Sequence, residues 1–208
     1  MLRNIIYVVL SILVFFTGMI IYGIILNIRE ATLRESMMEK GISKLENVHL
    51  VVDRKNYHLI LYSGKIKVKS YKAVFGRNNA SIKTSANDYV TPLGKFKICE
   101  KDTNTKYYKN MKLNYPRIKD AAEALKNGLI KRKDYLKIKN EIETGNCPPG
   151  DTPLGANIGI HGIGKYNFIF KNLPFVFNWT DGSIAVSNES IDELFSVTQV
   201  GTEVEIHN

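Results

Sequence analysis

The sequence predicts a mainly β domain with inserted helices, carried behind one N-terminal transmembrane helix. Three observations predict it: 22 residues from Ile5 to Leu26 without Asp, Glu, Lys or Arg, short alternating apolar runs from residue 48 onward, and helical periodicity confined to the middle and end of that second part. Composition agrees. With 44% hydrophobic and 24% charged residues in 208, the chain is too apolar for disorder and too short for more than about two domains. Lys and Arg number 29 against 20 Asp and Glu, a net charge of +9 that suits anionic surroundings such as wall polymers, lipid headgroups or nucleic acid.

At about 1.5 Å rise per residue, the first apolar stretch is long enough to cross a hydrocarbon core of about 30 Å. A cleavable signal peptide has a shorter apolar core and a small-residue cleavage site, whereas no alanine precedes Ala31. The reading is an uncleaved signal anchor: a short tail over 1–4 and the span itself over 5–28. Arg3 lies on one side and Arg29, Arg34, Lys40 and Lys44 on the other, so charge alone does not orient it. Residues 29–47 alternate in charge, with Leu33, Met37 and Leu45 at loosely helical spacing, and read as a helical stalk continuing the anchor.

The remaining residues, 48–208, form the domain. The runs at His49 to Asp53 and Tyr57 to Tyr62, the Ser63-Gly64 turn and the alternation from Lys65 to Phe75 read as an antiparallel meander. A polar loop leads to Thr91-Pro-Leu-Gly and a strand in which Phe96 and Ile98 alternate with lysines; Thr-Pro-Leu-Gly recurs at 152–155. Ile158 to Gly162, Phe168 to Phe170 and Val204 to Ile206 are further strand candidates. Arg117 to Asn127, with Ile118, Ala121, Ala122 and Leu125, and Lys133 to Thr144, with Leu136, Ile138 and Ile142, form a helical hairpin inserted over about 113–145. Glu100 to Cys147 holds 12 Lys/Arg against 7 Asp/Glu, which reads as a solvated helix face, with no nucleic-acid partner. Ser187-Asn188 caps a last helix, Glu189 to Val197, with Ile191, Leu194 and Phe195 inward.

Two segments carry polar residues inside apolar runs: Ile158-Gly-Ile-His161-Gly162-Ile-Gly164 and Asn178-Trp179-Thr180-Asp181-Gly182-Ser183-Ile-Ala-Val186. A histidine between glycines keeps its imidazole open, and a serine after glycine points its hydroxyl into open space. A nucleophile, a base and an adjacent glycine amide are the parts acyl transfer needs. The bland alternative, a histidine satisfied in a turn, stands beside it. Cys99 and Cys147 form no C-x-x-C and no Cys/His cluster, so no metal site is expected; Cys147 is bridged to Cys99, idle, or close enough to the histidine strand to be a nucleophile. Trp179 and the run Phe168, Phe170, Phe175, Phe177 line a groove or pack the core, and Lys95, Lys97, Arg77 and Lys83 either attract carboxylates or keep a strand face wet.

I-G-I-H-G, W-T-D-G-S-I-A-V-S-N-E-S-I-D-E-L-F and V-G-T-E-V-E-I together resemble the C-terminal half of the L,D-transpeptidase (YkuD-like) catalytic domain. That family's signature is His, a spacer, then Ser/Thr-His-Gly-Cys. Ser183 follows His161 by 22 positions, with Thr180 and Gly182 in register. The resemblance runs from about Val48 to Ile206 and includes Phe75-Gly76, the first Thr-Pro-Leu-Gly and the Lys95 to Ile98 strand. The helical insertion marks one branch.

The resemblance implies a mixed β-sandwich held outside the membrane and acting on cell-wall peptide stems, with no metal or organic cofactor. In it Ser183 is the acyl acceptor and His161 the base, and the Gly182 and Ser183 amides are oxyanion donors. Asp181 orients or binds the amine, while Thr180, Gly162 and Trp179 line the substrate site. Two departures stand out: Asp181 replaces the signature histidine, and Ser183 occupies the cysteine position. A thiol is partly ionised near neutrality, whereas a hydroxyl must lose its proton during attack. Ser183 therefore reads in three ways: an engineered replacement, a serine nucleophile, or a relic in a domain that binds stems without cutting them.

Overall fold

A computed structural model describes residues 2–27, 30–173 and 176–208. Helix α1 (Leu2–Asn27) is the apolar segment. Its first 25 residues have a mean hydropathy of 2.6 and are long enough to cross a membrane.

The stalk differs from the expectation of one continuous helix. A separate seven-residue helix, α2 (Leu33–Glu39), begins at Thr32, whose extended backbone and reciprocal bonds with Glu35 form a capping box. Such a box ends a helix on its N-terminal side, so α1 cannot run on through it. The segment also does more than space the domain. Leu33 is buried in the main core, Met37, Ile42 and Leu45 pack on that core, and the Leu33 amide donates to the Glu193 carboxylate at 2.8 Å.

Strands β1 (Val48–Asp53), β2 (His58–Ser63) and β3 (Ile66–Lys72) form the expected antiparallel meander. They alternate buried Leu50, Val52, Leu59, Leu61, Val68 and Tyr71 with wetter positions. Strand β4 (Gly94–Thr105) opens at the first Thr-Pro-Leu-Gly, and β5 (Tyr108–Leu113) returns beside it. The sequence reading did not anticipate β5, because only Met111 and Leu113 of it are buried and lysines mask the alternation.

The insertion follows as α3 (Ile118–Lys126) and α4 (Arg132–Glu143), which enclose a satellite core of Ala121, Ala124, Ile130, Ile138 and Leu154. Leu136 and Ala122, expected to face inward, are exposed, and Ala124 and Tyr135 pack there instead. A disulfide between Cys99 and Cys147 ties the end of the insertion back to β4.

Strand β6 (Gly159–Gly162) leads through a 3-10 turn to α5 (Asn167–Lys171), then β7 (Ile184–Val186), α6 (Asn188–Val197) and β8 (Glu203–His207). The strand expected at Phe168 to Phe170 is thus helical. Phe168 and Ile169 are exposed, and the Asn172 side-chain amide donates to the Phe168 carbonyl at 2.7 Å, closing the turn. Ser187 caps α6 as expected, accepting from the Ser190 amide. Phe175, one of the aromatic candidates, and Arg29 of the stalk lie outside the described residues.

The eight strands run in the order β3-β2-β1-β8-β4-β5-β6-β7, with β8 parallel to β1 and β7 parallel to β6. Long β4 serves both halves, pairing through Gly94 to Lys97 with β8 and beyond that with β5. The sheet folds back on itself. Val74, just past β3, exchanges both backbone hydrogen bonds with Ala185 in β7 at 2.9 Å, joining the two ends of the order around the core. This is the mixed sheet expected, with the helices outside it.

Leu33→Ala tests whether the stalk belongs to the fold. Removing a buried leucine side chain should lower the free energy of unfolding by about 2–5 kcal/mol, read from a denaturant titration of the full chain. An unchanged midpoint would mean that residues 30–47 are only a tether.

Candidate active site

The parallel pairing of β6 with β7 builds the site. Ile160 stands opposite Ile184 and His161 opposite Ala185. One step before this ladder, Ser183 comes level with Gly159, whose amide donates to the Ser183 hydroxyl at 3.2 Å. Residues two apart on a strand share a face. His161 and the serine are therefore diagonal neighbours across Gly159, where a Cβ would lie 2.4 Å from Asn110 Oδ1.

His161 is 5% exposed. Its Nδ1 lies 2.7 Å from the Gly162 carbonyl. A carbonyl only accepts, so Nδ1 carries the proton and Nε2 presents its lone pair. Tyr107 stacks on the ring with centroids 4.6 Å apart, and Trp179 meets it edge-on at 6.0 Å. Burial pushes the imidazole pKa below its ordinary 6.5 and the positive charge of Lys106 works the same way, outweighing the Gly162 carbonyl. The ring is a neutral base at pH 7.

Ser183 is half-buried, and its hydroxyl donates to the Asn157 carbonyl at 3.1 Å. With the Gly159 contact this places the oxygen between two backbone groups. Among the described residues it has no hydrogen bond to His161. Thr180, 3% exposed, ties the turn together: its hydroxyl donates to the Ser183 carbonyl at 2.6 Å and accepts from the Gly182 amide at 3.2 Å. The Gly182 amide is thus engaged by Thr180. Only glycine fits at 182, where φ is +120° and a Cβ would lie 2.7 Å from the Val90 carbonyl oxygen.

The other expected residues divide. Gly162 is buried; a Cβ there would strike Asn188 Oδ1 at 2.7 Å, and the residue holds His161 through its carbonyl. Trp179 walls the imidazole. Asp181 stands at the rim with its side chain 74% exposed, 2.6 Å from Arg77, whose guanidinium lies 4.0 Å over the Tyr89 ring. Cys147 is excluded as a nucleophile by its bond to Cys99. Lys83 is a buried partner of Asp88 at 2.6 Å, Lys95 faces Glu205 at 3.7 Å, and Lys97 lies on the wet face of β4.

Tyr107 was missed by the sequence reading. It sits on the tight turn joining β4 to β5, 54 positions before His161, and only the pairing of β5 with β6, Asn110 opposite His161, brings it there. Two charged groups that hold the loop before β4 were missed as well, one at the end of β1 and one in the loop itself. Arg54, 6% exposed, donates to the Ala80 and Thr91 carbonyls at 3.2 and 2.9 Å. The Asp88 carboxylate accepts from Lys83 and from the amides of Thr84, Ser85 and Val90. Burial raises the Asp88 pKa, but Lys83 and the three amides more than offset this and hold it below the ordinary carboxylate value.

Residues 47–206 match the family model described as YkuD: L,D-transpeptidase catalytic domain. No curated protein sequence matches the chain. Among solved structures, Bd1075 of Bdellovibrio bacteriovorus aligns at 18% identity with a TM-score of 0.49, covering 78% of this chain and 48% of that one. The helical cell shape determining protein Pgp2 of Campylobacter jejuni aligns at 15% and 0.48, covering 85% and 55%. An L,D-transpeptidase of Mycobacterium tuberculosis aligns at 10% and 0.47, covering 78% and 58%. The chain spans about half the length of these structures.

Nitrogen NMR of the His161 ring tests the assigned base. At pH 6.5 the ring should remain singly protonated at Nδ1. The sign for stability follows: above pH 6.5 the ring is neutral whether the chain is folded or not, while below it only the unfolded chain gains a proton freely. Stability should therefore fall as pH drops from 6.5 toward the folded value. A ring doubly protonated at pH 6.5 would contradict this tautomer and the lowered pKa.

Proposed function

Because the chain belongs to the L,D-transpeptidase catalytic-domain (YkuD) family, we propose that it is a membrane-anchored acyltransferase of the cell envelope acting on wall peptide stems. The observation that carries this reading is the neutral, Nδ1-protonated His161, whose Nε2 has no hydrogen-bond partner among the described residues, on the same sheet face as Ser183. The chemistry then runs as two acyl transfers. Ser183 turns from Asn157, its oxygen attacks a stem carbonyl, and His161 Nε2 takes the hydroxyl proton. The carbonyl oxygen, now negative, is met by the Ser183 amide and by the Gly182 amide once it releases Thr180. The C–N bond to the terminal D-alanine breaks, and that nitrogen leaves with the proton from His161. A side-chain amine of a second stem then attacks the ester; His161 accepts its proton and returns one to Ser183.

Trp179 and Tyr107 keep water from the imidazole and wall the bound stem. Asp181, exposed and adjacent to the nucleophile, attracts the incoming amine. Stems of finished wall lie outside the bilayer, so α1 anchors the domain on that side, with the apolar span Ile5 to Leu26 in lipid.

One observation favours a second reading, a domain that binds stems without cutting them: the Ser183 hydroxyl is bonded to Asn157 and Gly159 and not to His161. Intact-mass spectrometry after incubation with a carbapenem or a tetrapeptide stem separates the two. The acyltransferase reading expects a covalent adduct on Ser183 that is lost in His161→Ala. It also expects Ser183→Cys to acylate faster by about a hundredfold or more, given the stronger nucleophile. Stem binding without any adduct, and acylation only in Ser183→Cys, would establish the binding reading.

A further inference from the structure

The end of α1 meets the domain at one place. A Cβ built on Gly23 would lie 1.7 Å from the carbonyl oxygen of Asn172, so the last turns of the apolar helix pass directly against the residue that follows α5. Helix α5 is therefore at the level where the apolar span ends and the headgroup region begins.

Around that contact the surface is apolar where a soluble domain is ordinarily polar. Tyr166, Phe168 and Ile169 are 51%, 60% and 47% exposed, and Val176 and Phe177 on the returning strand of chain are exposed too. These five lie within twelve positions of sequence. Exposed aromatics grouped this way mark a surface that meets another phase or partner, and Tyr, Phe and Ile beside lysine is the composition of a membrane-interface contact. Lysines are present on both sides. Lys165 is exposed and lies over the Tyr166 ring, and Lys67 and Lys72 are exposed on the edge strand β3. Lys67 and Lys72 each line a hollow that Glu30 and Ala31, just after α1, also line. The second of these hollows, about 310 Å³, is also lined by Phe170, Phe177 and Trp179.

We infer that this face rests on the bilayer that α1 crosses: Phe168, Ile169 and Tyr166 enter the boundary between headgroups and acyl chains, and Lys165, Lys67 and Lys72 face anionic headgroups. The inference rests on the reading of α1 as a membrane anchor. Lysines on β3 also serve to block edge-to-edge pairing, but that role gives no account of the uncovered aromatic residues beside them. The contact has a consequence for the site. Phe170 touches Phe177 at 5.8 Å and Trp179 at 6.0 Å between ring centroids, and Trp179 touches His161. An unbroken line of rings thus connects the docked face to the catalytic imidazole and fixes the height of the groove above the membrane.

The test uses the full chain in nanodiscs of phosphatidylcholine with about one third phosphatidylglycerol, the native cysteines being tied in their disulfide. Nitroxide labels are placed singly at Val14→Cys in the anchor, Phe168→Cys on α5 and Lys119→Cys on the remote insertion. Electron paramagnetic resonance then compares collisions with oxygen and with a water-soluble nickel chelate. The Val14 label should be shielded from nickel and the Lys119 label open to it. The Phe168 label should be shielded several-fold relative to Lys119, and less so in pure phosphatidylcholine or when Lys165→Glu and Lys67→Glu are added. Nickel access at Phe168 equal to that at Lys119, with Val14 shielded, would overturn the docking while leaving the anchor intact. Nickel access at Val14 would overturn the anchor and the docking with it.

Discussion

The parallel pairing of β6 with β7 is the constraint on which the site depends. Two short strands, separated by 21 intervening positions, carry His161 and hold Ser183, the residue just before β7, level with Gly159; all four residues of β6 are buried. Because the pairing is parallel, the segment between them must cross over, and it does so through α5 and the Trp179 loop. That crossover lays an indole against the imidazole. Shift the register by one residue and His161 would face the opposite side of the sheet, which is why the ladder is held from both flanks. Strand β5 pairs with β6 on one side, and Val74 pairs with Ala185 on the other.

That second flank belongs to the loop between β3 and β4, which has little apolar content and is held by buried charge instead. Arg54 reaches from the end of β1 to two of its carbonyls, while Asp88 gathers Lys83 and three amides. A buried guanidinium satisfied only by carbonyls, and a carboxylate satisfied by amides, are stable only in one arrangement of the backbone around them. The loop is thereby rigid where it matters. Gly76 and Val90 press on the turn at Gly182, Thr91 receives the Gly76 amide, and the Arg77–Asp181 pair closes the rim.

Much of this was legible in the sequence, for identifiable reasons. The long apolar helix follows from its run without charge, and the first three strands and the helical insertion follow from period and punctuation, since each of these buries one face and ends at a glycine, a cap or a charge. His161, Ser183 and Thr180 stood out as polar residues inside apolar runs. What was not legible depends on pairing between distant strands. Strand β5 carries too few apolar residues to announce itself, yet it brings Tyr107 onto the imidazole. The stalk reads as helical from its charges, and only the Thr32–Glu35 box, itself visible in the letters, says where the helix restarts. Phe168 to Phe170 looks like a strand because aromatic residues favour strands, but it lies in the short helix α5, with Phe168 and Ile169 exposed.

The position of the Ser183 oxygen bears on the proposed attack and on what a cysteine in its place would change. A hydroxyl bonds well to a carbonyl and an amide, and each such bond is worth about 0.5–1.5 kcal/mol net. Asn157 and Gly159 thus hold the oxygen away from His161 by an amount that attack must first recover. A thiol is a weak donor and a weak acceptor. The same two backbone groups would hold sulfur far less, and the side chain would turn toward Nε2 at little cost. A thiol at 183 would thus leave Asn157 and Gly159 at less cost, while a hydroxyl must break two local bonds and also find its base in the same motion. Whether stem binding supplies that energy, by displacing the hydroxyl from Asn157 as the peptide backbone enters along β6, decides between turnover and binding alone.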